Sequence, residues 1–550
     1  MFVAAVAPVV ATYSGYLLTK SSFFFVATPV VAFAVTVALA VSPELRNAIR
    51  RLLGFVWRKL RAGLRVAGNG IRKHPWITVV IVVVVLALVG WHLWGLLVPP
   101  PACASSRQDV GDSATARSAP SLEDLRRVIG EENERVEASG QSYVTIAFMA
   151  SLADEVLSAG RLVHQVGGAY TAQLRANQGR LIGSSPQIRL ELVDMGQDER
   201  NWRDAVAKVE KLAKGPEHLV AVTGMGVSHR NTLNAARELS KAEIPMVGDV
   251  LTADGFNITG GIDPKGGRIP GLFRMPFPVS TQLALIDCHL QEKRRDLDTA
   301  LLVEDADNDG GKPDLYAKSL AIAFRKGRFD ESLKQAGNVT NRFGGANSDK
   351  KALDNEFQGI AGNLCGVDPP EMVFYAGRAR YLPNFLDYLR NRNCANADHA
   401  LTVITGSDAS NLAHQGDLGR RLAAAHVSVL YVPLAHPADL DDPGNPKRGR
   451  FKEFADEFTT THSRVRFDRG SLLDGWAVMA HDAFLTAAKA AHKAYDPQSS
   501  PSSASVRNQI GLFTASTNTV PGATGDFLID SQTGDRKGGA APVVHSFGAS

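Results

Sequence analysis

Residues 220–256 read VAVTGMGVSHRNTLNAARELSKAEIPMVGDVLTADGF, and this stretch decides the fold class. A short apolar, β-branched run over 219–223 reads as a strand. It stops at Gly224-Met225-Gly226, where glycines open the backbone conformations that a tight turn needs. An amphipathic helix follows over 231–242, and Ile244-Pro245 leads into a second strand over 246–247. Strand, glycine turn, helix and strand make a βαβ unit. Such units imply right-handed crossovers and a parallel sheet covered on both faces.

The same alternation runs outward in both directions. Strands are predicted over 144–149, 188–194, 219–223, 246–247, 300–303, 372–375, 401–404 and 428–431. Helices are predicted between them over 153–176, 201–213, 231–242, 281–291, 314–324, 382–391 and 472–494. Eight strands are too many for one small sheet, so the expected fold is α/β with two doubly wound parallel-sheet lobes and a cleft between them. The tail over 510–544 breaks the rhythm with Gly522, Gly525, Gly534 and Gly538 and reads as hairpins.

The N-terminal region has a different composition. Residues 76–98, WITVVIVVVVLALVGWHLWGLLV, carry no ionisable group except His92 and are long enough to cross a bilayer. Apolar segments over about 2–18 and 23–41 read either as two further transmembrane helices, for three spans in all, or as one long segment, for two. The loop 42–75 is strongly basic, with Glu44 its one acid, and basic flanks stay in the cytoplasm. With no charge before Lys20, a cleaved secretory signal is not expected. The chain is therefore expected at the cell membrane, multi-pass, with everything from Pro99 onward extracytoplasmic. The first 98 residues hold ten Lys and Arg against Glu44, so the whole-chain charge of +4 leaves the remainder near −5. A mildly acidic outer region argues against nucleic acid as a partner. Membrane lipid, reached through the spans, is an expected contact instead.

Residues 99–140 read as linker and lead-in helix: a flexible spacer rich in Pro, Ser and Ala over 99–120, then a helix opened by Ser121 with Asp124 completing a capping box. Four cysteines suit an oxidising compartment. Cys365 and Cys394 each precede a strand of the expected parallel sheet, which brings them to one edge and makes them the expected disulfide. The alternative is two unpaired buried thiols. Cys288 falls on a helical stretch and is expected to pack there.

In open α/β sheets ligands bind beyond the carboxyl ends of strands. Four loops lie there. Gly224-Met225-Gly226-Val227-Ser228 precedes a helix N-terminus, so Gly226 and Ser228 either hold an anion or carboxylate or form a plain capped turn. Asp305-Ala306-Asp307-Asn308-Asp309-Gly310 matches the start of a calcium loop. Tyr316 stands where the bidentate Glu is required, so Asp305 and Asp307 read better as cleft-lining acids or a solvated turn. Tyr375 to Tyr381 offers Arg378 and Arg380 among aromatics, for ligand pairing or for surface ion pairs. Gly406-Ser407-Asp408 adds an acid with the same two readings. No metal or cofactor is expected. No catalytic motif stands out: no His-Glu-x-x-His, no Gly-x-Ser-x-Gly and no P-loop, and His229 beside Ser228 has no third partner in view. An enzyme is not expected.

An ordered set of runs resembles the type I periplasmic binding proteins, in the branched-chain amino-acid-binding and receptor ligand-binding branch. The set comprises residues 220–256, then LFRMPFPVSTQ, ALLVEDADNDGGKPDLYAKSL, VFYAGRARYLPNFLDYL, LTVITGSDASN, GWAVMAHDAFLTAAKAA and VPGATGDFLIDSQTGDR. The resemblance implies a periplasmic binding protein-like I fold whose lobes, joined by three crossovers, close on a small solute. Lobe one would be 141–274 with 406–515, and lobe two 275–405 with 516–545. The ligand carboxylate would meet Ser228 and Thr252. Amino-acid binders of this family often place an acid where this chain has Arg378 to Tyr381, so an acidic or aromatic solute fits as well as an amino acid. Asp305, Asp307 or Asp408 could supply the negative partner. The implied function is a membrane-anchored solute-binding or sensor protein working with a separate signalling partner. The alternatives are the substrate-binding subunit of an ABC-type uptake transporter, with a permease as partner, or a degenerate binding fold that serves as a protein-interaction module.

Overall fold

The computed structural model describes residues 106–109, 120–152, 159–179, 181–257, 268–293, 299–306, 314–337, 339–345, 349–365, 369–392, 399–460 and 465–548. The expected membrane spans and their basic loop lie outside these residues. Among the described residues no helix is long and apolar enough to cross a membrane.

Fifteen strands are described. In chain order they are β1 (Ser106–Asp109), β2 (Tyr143–Ala150), β3 (Gln187–Asp194), β4 (Leu219–Gly224), β5 (Met246–Gly248), β6 (Leu272–Arg274), β7 (Ala300–Asp305), β8 (Thr340–Phe343), β9 (Met372–Ala376), β10 (Leu401–Ile404), β11 (Val427–Tyr431), β12 (Val520–Gly522), β13 (Gly525–Ile529), β14 (Arg536–Gly538) and β15 (Val544–Phe547). They form a five-stranded parallel sheet, β3-β2-β4-β5-β6, and a seven-stranded sheet, β1-β15-β11-β10-β9-β7-β8. In the larger sheet only β11 and β15 run antiparallel. β12, β13 and β14 make a small antiparallel meander, as the glycine spacing of the tail implies.

The inner strands of both sheets, such as β2, β4, β9 and β10, are buried on both faces, which is why they are continuous apolar runs. In lobe one, Ile146 and Phe148 of β2 face the helices Ala159–Asn177 and Trp476–Ala494, whereas Ala147 and Met149 face Trp202–Lys214 and Arg230–Lys241. The two helices of the first face approach closely. A Cβ on Gly168 would lie 2.1 Å from the Ala477 carbonyl oxygen, so only glycine fits there. In lobe two, Phe374 of β9 stacks on Phe324 at 4.9 Å, and Tyr375 on the opposite face stacks between Phe343 and Phe385.

Three findings alter the expected organisation. Ser106–Asp109, placed in the flexible spacer by composition, is a strand paired in parallel with β15. β11, assigned to lobe one with 406–515, belongs to the lobe-two sheet because its edge pairs with β10 and β15. Cys288 is disulfide-bonded rather than simply packed, as is Cys365. Cys394, the expected partner of Cys365, lies outside the described residues. The capping box is formed as read: Ser121 Oγ accepts from the Asp124 amide at 3.1 Å, and Asp124 accepts from the Ser121 amide at 3.0 Å.

Candidate functional site

Strand order locates the site. In the five-stranded sheet, β2 is flanked by β3 and β4; in the larger sheet, β7 is flanked by β8 and β9. Each is a reversal of winding direction, where the loops after neighbouring strands part and leave a crevice. The loops that follow β4 and β9 are therefore the ones geometry singles out.

After β4, Gly224, Met225 and Gly226 all adopt positive φ, at 79°, 78° and 74°. Two of the three are glycine, which tolerates this; Met225 accepts the strain while fully buried. A Cβ on Gly226 would lie 2.6 Å from the Glu199 carboxylate. Glu199 is itself buried. It accepts from the Val227 amide at 3.2 Å and sits 2.5 Å from His229 Nδ1. Ser228 is buried too: its Oγ accepts from the Ala253 amide at 3.2 Å and its carbonyl accepts from the Leu315 amide at 3.1 Å. Thr252 is buried, and its carbonyl accepts from the Val279 amide at 2.9 Å.

Leu315 begins a lobe-two helix, Leu315–Phe324, yet its side chain packs into the lobe-one core. The helix cap, Asp314, joins the two lobes electrostatically. Its Oδ1 accepts from the amides of Tyr316 and Ala317 at 2.9 and 3.1 Å. Its Oδ2 accepts from Arg378 Nε at 2.6 Å and lies 3.3 Å from His229 Nε2. Burial opposes charge on His229, but the carboxylates of Glu199 and Asp314 outweigh it and hold the imidazole up at about 10. Burial likewise opposes charge on Asp314, and the guanidinium of Arg378 with His229 overrides it, leaving the carboxyl far below its ordinary value.

A second ion pair lies beside the first. Asp408 Oδ1 accepts from Arg161 Nη1 at 2.7 Å, and its Oδ2 accepts from the Ala379 amide at 2.8 Å. Arg161 stands on lobe one, on the helix Ala159–Asn177, and lies over the Trp476 ring at 5.2 Å. Arg378 lies over Tyr316 at 4.7 Å. Between these groups is a cavity of about 200 Å³, lined among others by Arg161, Arg378, Arg380, Asp408, Asn411 and Trp476. Arg378 Nη2 and Arg380 Nε are buried without a hydrogen-bond partner among the described residues. Three arginines, Arg161, Arg378 and Arg380, and the Trp476 indole thus border the cavity. That combination suits an anionic group attached to a small or flat apolar body.

Of the residues singled out in sequence, Arg378, Arg380 and Asp408 line this cavity, and Val227 of the serine turn joins them. Gly226 and Ser228 shape that turn from behind. Tyr375 does not line the cavity: it is fully buried in the aromatic stack, and its hydroxyl donates to the Arg378 carbonyl at 3.1 Å, so it braces the loop. Asp305 ends β7 half-buried beside Gly345, away from the cavity lining, and Asp307 lies outside the described residues. Sequence reading missed Arg161, Trp476 and Asp314. Asp314 carried a signal, as an N-cap residue before an apolar helix. Arg161 and Trp476 carried none, because helices from separate segments bring them together.

Neither a protein-family model nor a curated protein matches the chain by sequence. Solved structures do match. An extracellular ligand-binding receptor from Rhodopseudomonas palustris HaA2 aligns over 74% of this chain and 97% of its own, with 12% identity and a TM-score of 0.52. A possible leucine/isoleucine/valine-binding protein from Rhodopirellula baltica SH 1 aligns over 74% and 93%, with 14% identity and a TM-score of 0.50. At such identities the likeness speaks to architecture: the chain has the α/β, parallel-sheet fold of the type I periplasmic binding proteins.

Proposed function

We propose that the chain is a membrane-anchored extracytoplasmic solute-binding or sensor protein whose lobes close on a small carboxylate ligand. The observation that carries the reading is Arg378. Its guanidinium is buried, borders the interlobe cavity, and has Nη2 unpartnered among the described residues while Nε is fixed by Asp314. A buried donor left unpaired costs about 1–3 kcal/mol, and a ligand carboxylate arriving there would recover it. Among the described residues, the two acids beside the cavity, Asp408 and Asp314, are already engaged. Asp408 is held by Arg161 and the Ala379 amide, and Asp314 by Arg378, His229 and its own helix. A ligand ammonium would have to displace one of these contacts. The contacts of the described residues therefore favour a carboxylate without an ammonium over a standard amino acid. The tether follows from the apolar N-terminal segments, and the neighbours in fold, named as binding proteins and receptors, support a non-enzymatic role.

A second reading has its own observation. Leu315 packs into lobe one and its amide donates to the Ser228 carbonyl, so the protein's own helix start fills the corner by Ser228. That suits a degenerate binding fold serving as an interaction module. A substrate-binding subunit of an uptake transporter would share the first reading's site. Titration of Trp476 fluorescence with small mono- and dicarboxylates, amino acids and aromatic acids separates the first two. Saturable change with a carboxylate, abolished in Trp476→Phe and weakened in Arg378→Ala, supports the binding protein. No saturable response across the panel would leave the interaction module.

A further inference from the structure

We infer that His164, His414 and Asp474 form a divalent transition-metal site that ties the two lobes together. The three come from separate segments. His164 lies on the helix Ala159–Asn177 of lobe one, and Asp474 is in the turn before Trp476–Ala494 of the same lobe. His414 ends the 3₁₀ segment Ser407–His414, which follows β10 of lobe two. Asp474 Oδ2 sits 2.8 Å from His164 Nδ1 and 3.6 Å from His414 Nε2, and the candidate ligand atoms of all three residues lie within 4.8 Å of one another. Ligand atoms around a tetrahedral zinc, each about 2.0–2.1 Å from the ion, are separated by about 3.3 Å. The two spacings from Asp474, 2.8 and 3.6 Å, bracket that value.

The surroundings fit a metal better than a plain ion pair. Asp474 is completely buried, and its ion-pair partners among the described residues are two imidazoles rather than a Lys or Arg. Its other oxygen accepts from the Trp476 amide at 2.9 Å, which aims Oδ2 at the histidines, as an outer hydrogen bond orients a ligating carboxylate. His414 keeps a side-chain exposure of 30%, which gives an ion a route in and leaves coordination positions for water. Two imidazoles and one carboxylate select zinc, nickel or copper over magnesium or calcium. A bound ion would add a lobe-two ligand to two lobe-one ligands, so metal would favour the closed arrangement. None of the three ligands lines the arginine-lined cavity that this site adjoins, and the inference stands whether or not a carboxylate binds there.

A second cluster, His436, Asp439 and His545, has similar composition. There the carboxylate is shared with Arg107, whose Nε donates to Asp439 Oδ1 at 3.0 Å, and His436 Nδ1 accepts the Ala438 amide to cap its own helix. It serves as the internal control. The tag-free full chain is titrated with Co²⁺, following the visible band of four-coordinate cobalt, and then with Zn²⁺ to displace it. The inference predicts one equivalent of tightly held cobalt, displaced by zinc. Affinity should fall at least about tenfold in His414→Ala, whose exposed position tolerates truncation, and be retained in His436→Ala. No binding to the wild-type chain would overturn the site, as would binding that survives His414→Ala or vanishes in His436→Ala.

Discussion

Asp314→Asn tests the electrostatics that join the lobes. The substitution keeps the helix cap, since an amide oxygen can accept from the amides of Tyr316 and Ala317 as Asp314 Oδ1 does at 2.9 and 3.1 Å. What it removes is the anion between two cations. An NH₂ group would then face Arg378 Nε, now 2.6 Å from the carboxylate, and His229 Nε2, at 3.3 Å. His229 can relax by losing its proton, because Glu199 alone then holds it; Arg378 cannot. Removing one partner of a buried pair costs about 3–5 kcal/mol, and with the cap and one escape route retained the lower end, about 3 kcal/mol, is expected. Urea denaturation followed by tryptophan fluorescence reads it. The pH dependence carries a second signature. His229 is raised in the folded state, so its contribution is complete below its ordinary value near 6.5 and fades as pH rises through about 10. In Asp314→Asn the alkaline loss should begin at lower pH. A stability change under about 1 kcal/mol, with an unaltered alkaline limb, would refute this reasoning.

Other expectations follow from single contacts. Arg378→Lys keeps the charge but loses the planar fork, so a carboxylate that binds the wild type should bind at least about tenfold more weakly by calorimetry. Gly226→Ala forces a Cβ against Glu199 at a φ of 74°, and should cost more than about 1 kcal/mol in thermal unfolding while pushing Glu199 away from His229. Reduction of the disulfides that hold Cys288 and Cys365 should lower stability by about 2–5 kcal/mol, read as a fall in Tm with added reductant.

Most of the eight strands legible in the sequence are runs apolar enough to sit in a sheet covered on both faces; β3 alternates instead, with Arg189 and Glu191 half-buried. β8, Thr340–Phe343, alternates as an edge strand and offers one buried residue, Phe343, so its run carries no comparable signal. β1 reads Ser-Arg-Gln-Asp and is polar throughout; its existence depends on the free edge of β15, more than 400 residues away in sequence. The cleft divides the same way. Arg378 and Asp408 were legible because they follow strands, and topology sends such loops to the cleft. Arg161, Trp476 and the cluster of His164, His414 and Asp474 were not, because each needs two helices or two lobes to meet. Cys288 was misread for the same reason: helical periodicity describes one face of its helix and says nothing about which thiol approaches it.

Thermal melting of the full chain against a panel of compact carboxylates and standard amino acids tests the central claim most directly. A ligand present at about 100 times its dissociation constant adds about 2.7 kcal/mol of stability. The account predicts a clear rise in Tm with a carboxylate that lacks an ammonium group, and loss of that rise in Arg378→Ala. Equal stabilisation of wild type and Arg378→Ala, or stabilisation by amino acids alone, would contradict it.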